Sequence, residues 1–117
     1  RADCYLFPSR GEGWGLPPRE AAATGLPVIA TNWGGLAEEI DEWALPVDVI
    51  GMSKADYGLW DNIGEWAEPS LAHLIERMRW CYEHREEAAV FGAHAAAWIA
   101  QNATWERTAR QILEVMA

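Results

Sequence analysis

The sequence predicts an α/β fold: about three parallel strands with flanking helices, followed by a helical tail. Three observations carry this. Short apolar runs of strand length recur at Cys4–Phe7, Val28–Thr31 and Leu45–Ile50. Helix-like segments lie between them, and strand–helix–strand at this pace favours parallel pairing through crossovers. From Pro69 onward the apolar residues recur at helical spacing.

The elements follow in order. "DCYLFPS" is an apolar run ended by Pro8 and reads as a buried strand. A glycine-rich loop comes next, and Pro17 and Pro18 open a helix, because proline is suited to the first helical turn. "REAAATG" continues that helix to Gly25. Val28–Thr31 is a second buried strand. "NWGG" is a turn, followed by a short helix over Leu36–Ile40 and a third strand over Leu45–Ile50. Gly51–Glu68 has no clear period and reads as a long loop. In the tail, Leu71, Leu74, Ile75, Met78 and Tyr82 share one helical face. A second helix covers Glu86–Gln101. Thr104 caps a third, whose stripe is Trp105, Ala109, Ile112, Leu113 and Met116. Residues 1–117 are thus expected to form one partial domain, with a loop at 51–68 and a helical tail at 69–117.

Composition narrows the function. The 117 residues carry a net charge of −9 and Lys54 is the single lysine, which argues against a nucleic-acid groove or an anionic membrane as partner. No apolar run approaches the length of a membrane span. Cys4 and Cys81 lie in apolar segments without ligand spacing, so they read as two buried, reduced thiols in a cytoplasmic protein. The chain opens without methionine or leader and is expected to be part of something longer.

The chemistry concentrates in "PSRGEGWGLPPRE", residues 8–20. Glycine lets a backbone approach a ligand closely. Free N–H groups and the helix dipole at the start of a helix both favour an anion, so Gly13, Trp14, Gly15 and Leu16 can cradle a phosphate. No Gly-Lys-Ser/Thr follows, and Leu16 stands where a dinucleotide fingerprint needs its third glycine. Glu12 and Glu20 flank the nest, and three readings of them stand on the residues alone. They can accept hydrogen bonds from sugar hydroxyls on either side of a phosphate, as a nucleotide sugar would offer. Alternatively, Glu20 complements the helix dipole while Glu12 is solvated. Or the two form a glycosidase-like acid/base pair.

The run "ADCYLFPSRGEGWGLPPREAAATGLPVIATNWGGLAEEI" resembles the C-terminal domain of retaining family 4 glycosyltransferases of the GT-B fold. Glu12 and Glu20 meet that family's E-x7-E signature. Pro8-Ser9, the Gly-aromatic-Gly-Leu-Pro run, Glu-Ala after the second acid and Gly25-x-Pro27-Val28 support it, and "ATWERTARQILEVM" looks like the family's closing helix. The resemblance implies half of a Rossmann-like GT-B C-terminal domain. It also implies binding of a nucleotide-diphosphate sugar and, in a full-length hexosyltransferase, transfer to an acceptor with retention and without a bound metal or other cofactor. Glu12, as the catalytic-site acid, would contact donor-sugar hydroxyls. Glu20 would bind the ribose hydroxyls, and amides of Gly13, Trp14, Gly15 and Leu16 would face the sugar and phosphates. The acceptor and the donor base stay open, and a non-catalytic nucleotide-sugar-binding or interaction module is the alternative.

This sequence departs from the family at Gly11, often aromatic there, at Trp14, commonly Phe, and at Arg19, commonly apolar. Tyr57, Trp60 and Trp66 in the long loop, with Trp33 and Trp43, read either as stacking surfaces for an acceptor sugar or as packing. His73, His84 and His94 read as surface or packing residues. Only the second half of the family's C-terminal domain is matched. The chain alone is therefore expected to be inactive, and its Cys4–Phe7 strand to be an exposed edge that pairs two copies.

Overall fold

The computed structural model describes residues 2–56, 58 and 63–117. Three short strands, β1 (Tyr5–Phe7), β2 (Val28–Thr31) and β3 (Leu45–Val47), form a parallel sheet in the order β1-β2-β3. Tyr5 pairs with Val28, and Ile29 with Leu45. This is the α/β half-sheet the sequence predicts. Every residue of β2 is buried, because helices cover both of its faces. Val28 and Ala30 pack with Ala22, Leu36, Ile40, Trp43, Ala95 and Ile99. Ile29, between them, packs on the other side with Val47, Cys81 and Ala88. One strand with period-two side chains thus serves two clusters, which explains its near-continuous apolar run.

β1 is less buried than its sequence suggests, since it lies at the sheet edge and Leu6 is 43% exposed. Helix α1 (Leu16–Ala23) has proline in its first turn, as expected, and the chain leaves it through Gly25 at φ 85°. The helix expected over Leu36–Ile40 is displaced. A 3-10 turn occupies Gly34–Leu36 and a short helix α2 occupies Ile40–Trp43. Glu39 between them adopts φ 50°, in the left-handed region, which prevents one continuous helix.

The expected third strand is divided. Val47 ends β3, and Val49 begins β4 (Val49–Lys54), which pairs antiparallel with β5 (Glu65–Pro69) in a second sheet. The two ends of the expected loop Gly51–Glu68, residues 51–54 and 65–68, are therefore built as the arms of a hairpin. Of the aromatics assigned to it, Tyr57 and Trp60 lie outside the described residues.

The tail forms α3 (Leu71–Glu83), α4 (Arg85–Asn102) and α5 (Trp105–Met116). Ser70 and Thr104 cap α3 and α5 by accepting the backbone N–H groups of His73 and Arg107 at 3.2 Å. Helix α4 packs on α1, α2 and α3. Of the predicted apolar faces only Leu74 on α3 packs against the core, beside Ile29, Val47 and Cys81. Leu71, Ile75, Met78 and Tyr82 on α3 are exposed, and α5 buries no residue. Among the described residues no helix is long and apolar enough to cross a membrane.

Candidate functional site

The glycine loop leaves the carboxyl end of β1 and enters α1, the end of a parallel sheet where ligands bind. Its first turn is local. The Gly11 N–H donates to Ser9 Oγ at 3.3 Å, and Ser9 Oγ donates back to the Gly11 carbonyl at 2.8 Å. Arg10 is held from outside by the hairpin. It pairs with Glu68 at 3.0 Å and lies 5.2 Å from the Trp66 ring centre, while the Ala67 N–H donates to the Arg10 carbonyl at 2.9 Å. Ser53 also donates to Glu68 and fixes that carboxylate.

The middle of the loop rests on the Gly34–Gly35 turn. The Gly35 N–H donates to the Glu12 carbonyl at 3.1 Å. The two backbones are so close that a Cβ at Gly35 would overlap the Gly13 carbonyl, and a Cβ at Gly15 would overlap the Leu36 side chain. Gly15 also sits at φ 77° as the residue before α1. The α1 N-terminus has no side-chain cap, but Pro17 and Pro18 carry no N–H and the Arg19 N–H donates to the Gly15 carbonyl, so the amides that can meet a ligand here are those of the loop up to Leu16.

Arg19 locks this arrangement from beneath. It is 3% exposed, and its guanidinium donates to the Trp14 carbonyl and, at 3.0 Å, to the Gly35 carbonyl. It lies between two rings, 3.8 Å from the Trp14 centroid and 4.4 Å from that of Trp43. Its Nε and the Thr31 hydroxyl are buried without a partner. Burial pulls the Arg19 pKa below the usual guanidinium value, and the nearby Glu38 opposes that. A buried cation behind the amides reinforces the helix dipole toward an anion in front of them.

The two acids singled out in the sequence differ in setting. Glu12 is half-buried, with Oε1 accepting the Gly13 N–H at 3.1 Å, while Glu20 is exposed on α1. Trp14 and Leu16 are 47% and 49% exposed at the loop's outer side. Trp33, also exposed, borders the glycine turn, whereas Trp43 is fully buried and is a packing residue. The histidines serve structure. His73 accepts the Asp48 N–H, His84 lies 3.1 Å from the Trp80 carbonyl, and His94 contacts Glu42. Three contributors were missed: Arg19 as a strut, Gly34–Gly35 as the loop's seat, and the hairpin clamp on Arg10. A charge at a position expected to be apolar, five residues from a tryptophan, was the available signal for the first.

The chain is similar throughout to known proteins. A family profile described as "Family 4 Glycosyltransferase in conflict systems" matches residues 1–112. The D-inositol 3-phosphate glycosyltransferase of Paenarthrobacter aurescens is 34% identical over 113 residues, covering 97% of this chain and 23% of that protein. The glycogen synthase of Mycobacterium tuberculosis is 37% identical over 67 residues, 53% of this chain and 16% of the synthase. A lipopolysaccharide core mannosyltransferase of Rhizobium meliloti is 53% identical over 36 residues, 31% of this chain and 10% of that enzyme. The chain therefore spans about a quarter of the length of the relatives it matches end to end.

Proposed function

The chain belongs to the family 4 glycosyltransferases in conflict systems, and from that membership we propose that its glycine loop binds a nucleotide-diphosphate sugar. The diphosphate is assigned to the loop amides of Trp14 and Gly15 and to that of Leu16, the first residue of α1, with the dipole and the buried Arg19 behind them. Glu20, exposed on the first turns of α1, accepts the ribose hydroxyls. Glu12 accepts donor-sugar hydroxyls. To do so its carboxylate leaves the Gly13 N–H, which frees that amide for the donor in the same movement. No metal is assigned to the site.

In a full-length enzyme the sugar passes to an acceptor with retention of configuration, and the amides stabilise the departing diphosphate. Because the chain spans 23% of the length of its D-inositol 3-phosphate relative, binding is proposed for this chain and turnover for the longer enzyme. The observation that carries the reading is the buried, carbonyl-bound Arg19 beneath an uncapped helix start flanked by Glu12 and Glu20. A second copy is proposed to pair along the β1 edge, where Leu6 is exposed. Light scattering at high dilution should show a dimer, and a monomer removes that part of the reading.

The test is a thermal-shift screen with UDP, GDP, ADP and their glucose and mannose conjugates, beside Glu20→Ala. Ligand at a hundred times its dissociation constant adds about 2.7 kcal/mol. One nucleotide should stabilise the chain and lose its effect in the variant. No shift with any of them, or equal binding by Glu20→Ala, refutes the assignment. Binding without turnover by a full-length enzyme would instead support the non-catalytic module.

A further inference from the structure

At the opposite end of the sheet from the glycine loop, the entries to β1 and β2 and the faces of α3 and α4 enclose an open cleft of about 510 Å³. Cys4, just before β1, and Cys81, in the last turns of α3, both line it, with Asp3, Met78 and Arg85 around them. The two residues are distant in sequence, yet they meet in one cluster. Cys81 packs with Ile29, Val47 and Ala88, and Cys4 packs against that group. Neither is in a disulfide.

The geometry points to a thiol pair: we propose that Cys4 and Cys81 close to an intramolecular disulfide when a peroxide enters the cleft. The two roles differ. The neighbouring thiol pushes the Cys4 pKa up and draws that of Cys81 down, and Arg77, one helical turn before Cys81 on α3, lowers Cys81 further, while Cys4 Sγ donates to the Tyr5 carbonyl at 3.8 Å. Cys81 is accordingly the attacking sulfur and Cys4 the resolving one. The Cys81 thiolate attacks one peroxide oxygen, the O–O bond breaks, and the departing hydroxide takes a proton to become water. Cys81 is then a sulfenic acid. The Cys4 sulfur attacks the Cys81 sulfur, the S–O bond breaks, and the hydroxyl leaves as water with the Cys4 proton. Two thiols are oxidised, one peroxide is reduced, and two waters form.

The bond would tie the start of β1 to α3. β1 is the edge strand, and it leads directly into the glycine loop. Closing so long a loop also restricts the unfolded chain.

The experiment treats the reduced 117-residue chain with hydrogen peroxide under native conditions. Intact mass, free-thiol titration and peptide mapping are the readouts. The mass should fall by two hydrogens, and the thiol count should go from two to none. A Cys4–Cys81 cross-linked peptide should appear, and dithiothreitol should reverse all three. The oxidised chain should melt roughly several degrees higher. In Cys4→Ser, Cys81 should gain one oxygen and be captured by dimedone. In Cys81→Ser, Cys4 should stay reduced over the same period. Two thiols persisting in the wild type, a stable wild-type dimedone adduct, or cross-links only between chains would each overturn the proposal. The wild-type readouts decide the matter even if a variant fails to fold, and none depends on nucleotide binding.

Discussion

β2 and α5 both look like packing elements in sequence, one as a near-continuous apolar run and the other as a strong apolar stripe. In the fold they are opposites. All four residues of β2 are buried, whereas α5 buries none and Trp105 is 82% exposed. The difference lies in what surrounds each. β2 is the central strand, with helices on both faces, while α5 extends beyond the last helix that packs on the sheet. A periodic pattern states which face of an element is apolar. It does not state what covers that face.

Substitutions should reproduce this contrast. The largest effect is expected at Trp43, fully buried beside β2 and against Arg19. Trp43→Ala should cost about 3–5 kcal/mol in urea unfolding. A cost below about 1 kcal/mol would mean that the site's lower wall is not packed as described. Gly35→Ala comes next. Its new methyl overlaps the Gly13 carbonyl, a backbone atom that cannot rotate away. A loss of about 1–3 kcal/mol is expected, together with weaker nucleotide binding in calorimetry. Wild-type stability with intact binding would show that the loop is not seated on this turn.

How much of this was legible beforehand varies from element to element. Val28–Thr31 was readable because a strand covered on both faces reads as a near-continuous apolar run, here broken only by Thr31 at its end. Ser70 and Thr104 were readable because capping is local. The hairpin was not, since β4 exposes most of its residues and β5 contains two glutamates and a proline. Its strands are held by each other and by Arg10 more than by the core, so they carry little hydrophobic signature. Glu12 and Glu20 could be paired by spacing alone. Arg19 could not be assigned as a strut, because its partners are the carbonyls of Trp14 and Gly35, and a carbonyl leaves no trace in residue type. Nor could Cys4 and Cys81 be paired, because only the tertiary fold brings β1 to α3.

Smaller effects sharpen the comparison. Glu20→Ala lies on an exposed face and should change stability by no more than about 0.5 kcal/mol while abolishing nucleotide binding. A marked loss of stability would return Glu20 to the role of a helix-dipole partner. Smallest of all should be Leu113→Ser on α5, within about 0.5 kcal/mol by the same unfolding measurement. A larger loss would mean that α5 is covered in solution by a second copy.

The seating of Gly13 on Gly35 involves main chain on both sides. The contact itself is main chain against main chain, with the Arg19 guanidinium on the Gly35 carbonyl as its one side-chain support, and it separates two kinds of change in this loop. Exchanging Leu16 or Trp33, whose side chains are exposed, alters what the loop touches without altering where the loop lies, whereas Trp14 also covers the Arg19 guanidinium. The glycines act as a fixed mount, and the residues between them are the interchangeable tool.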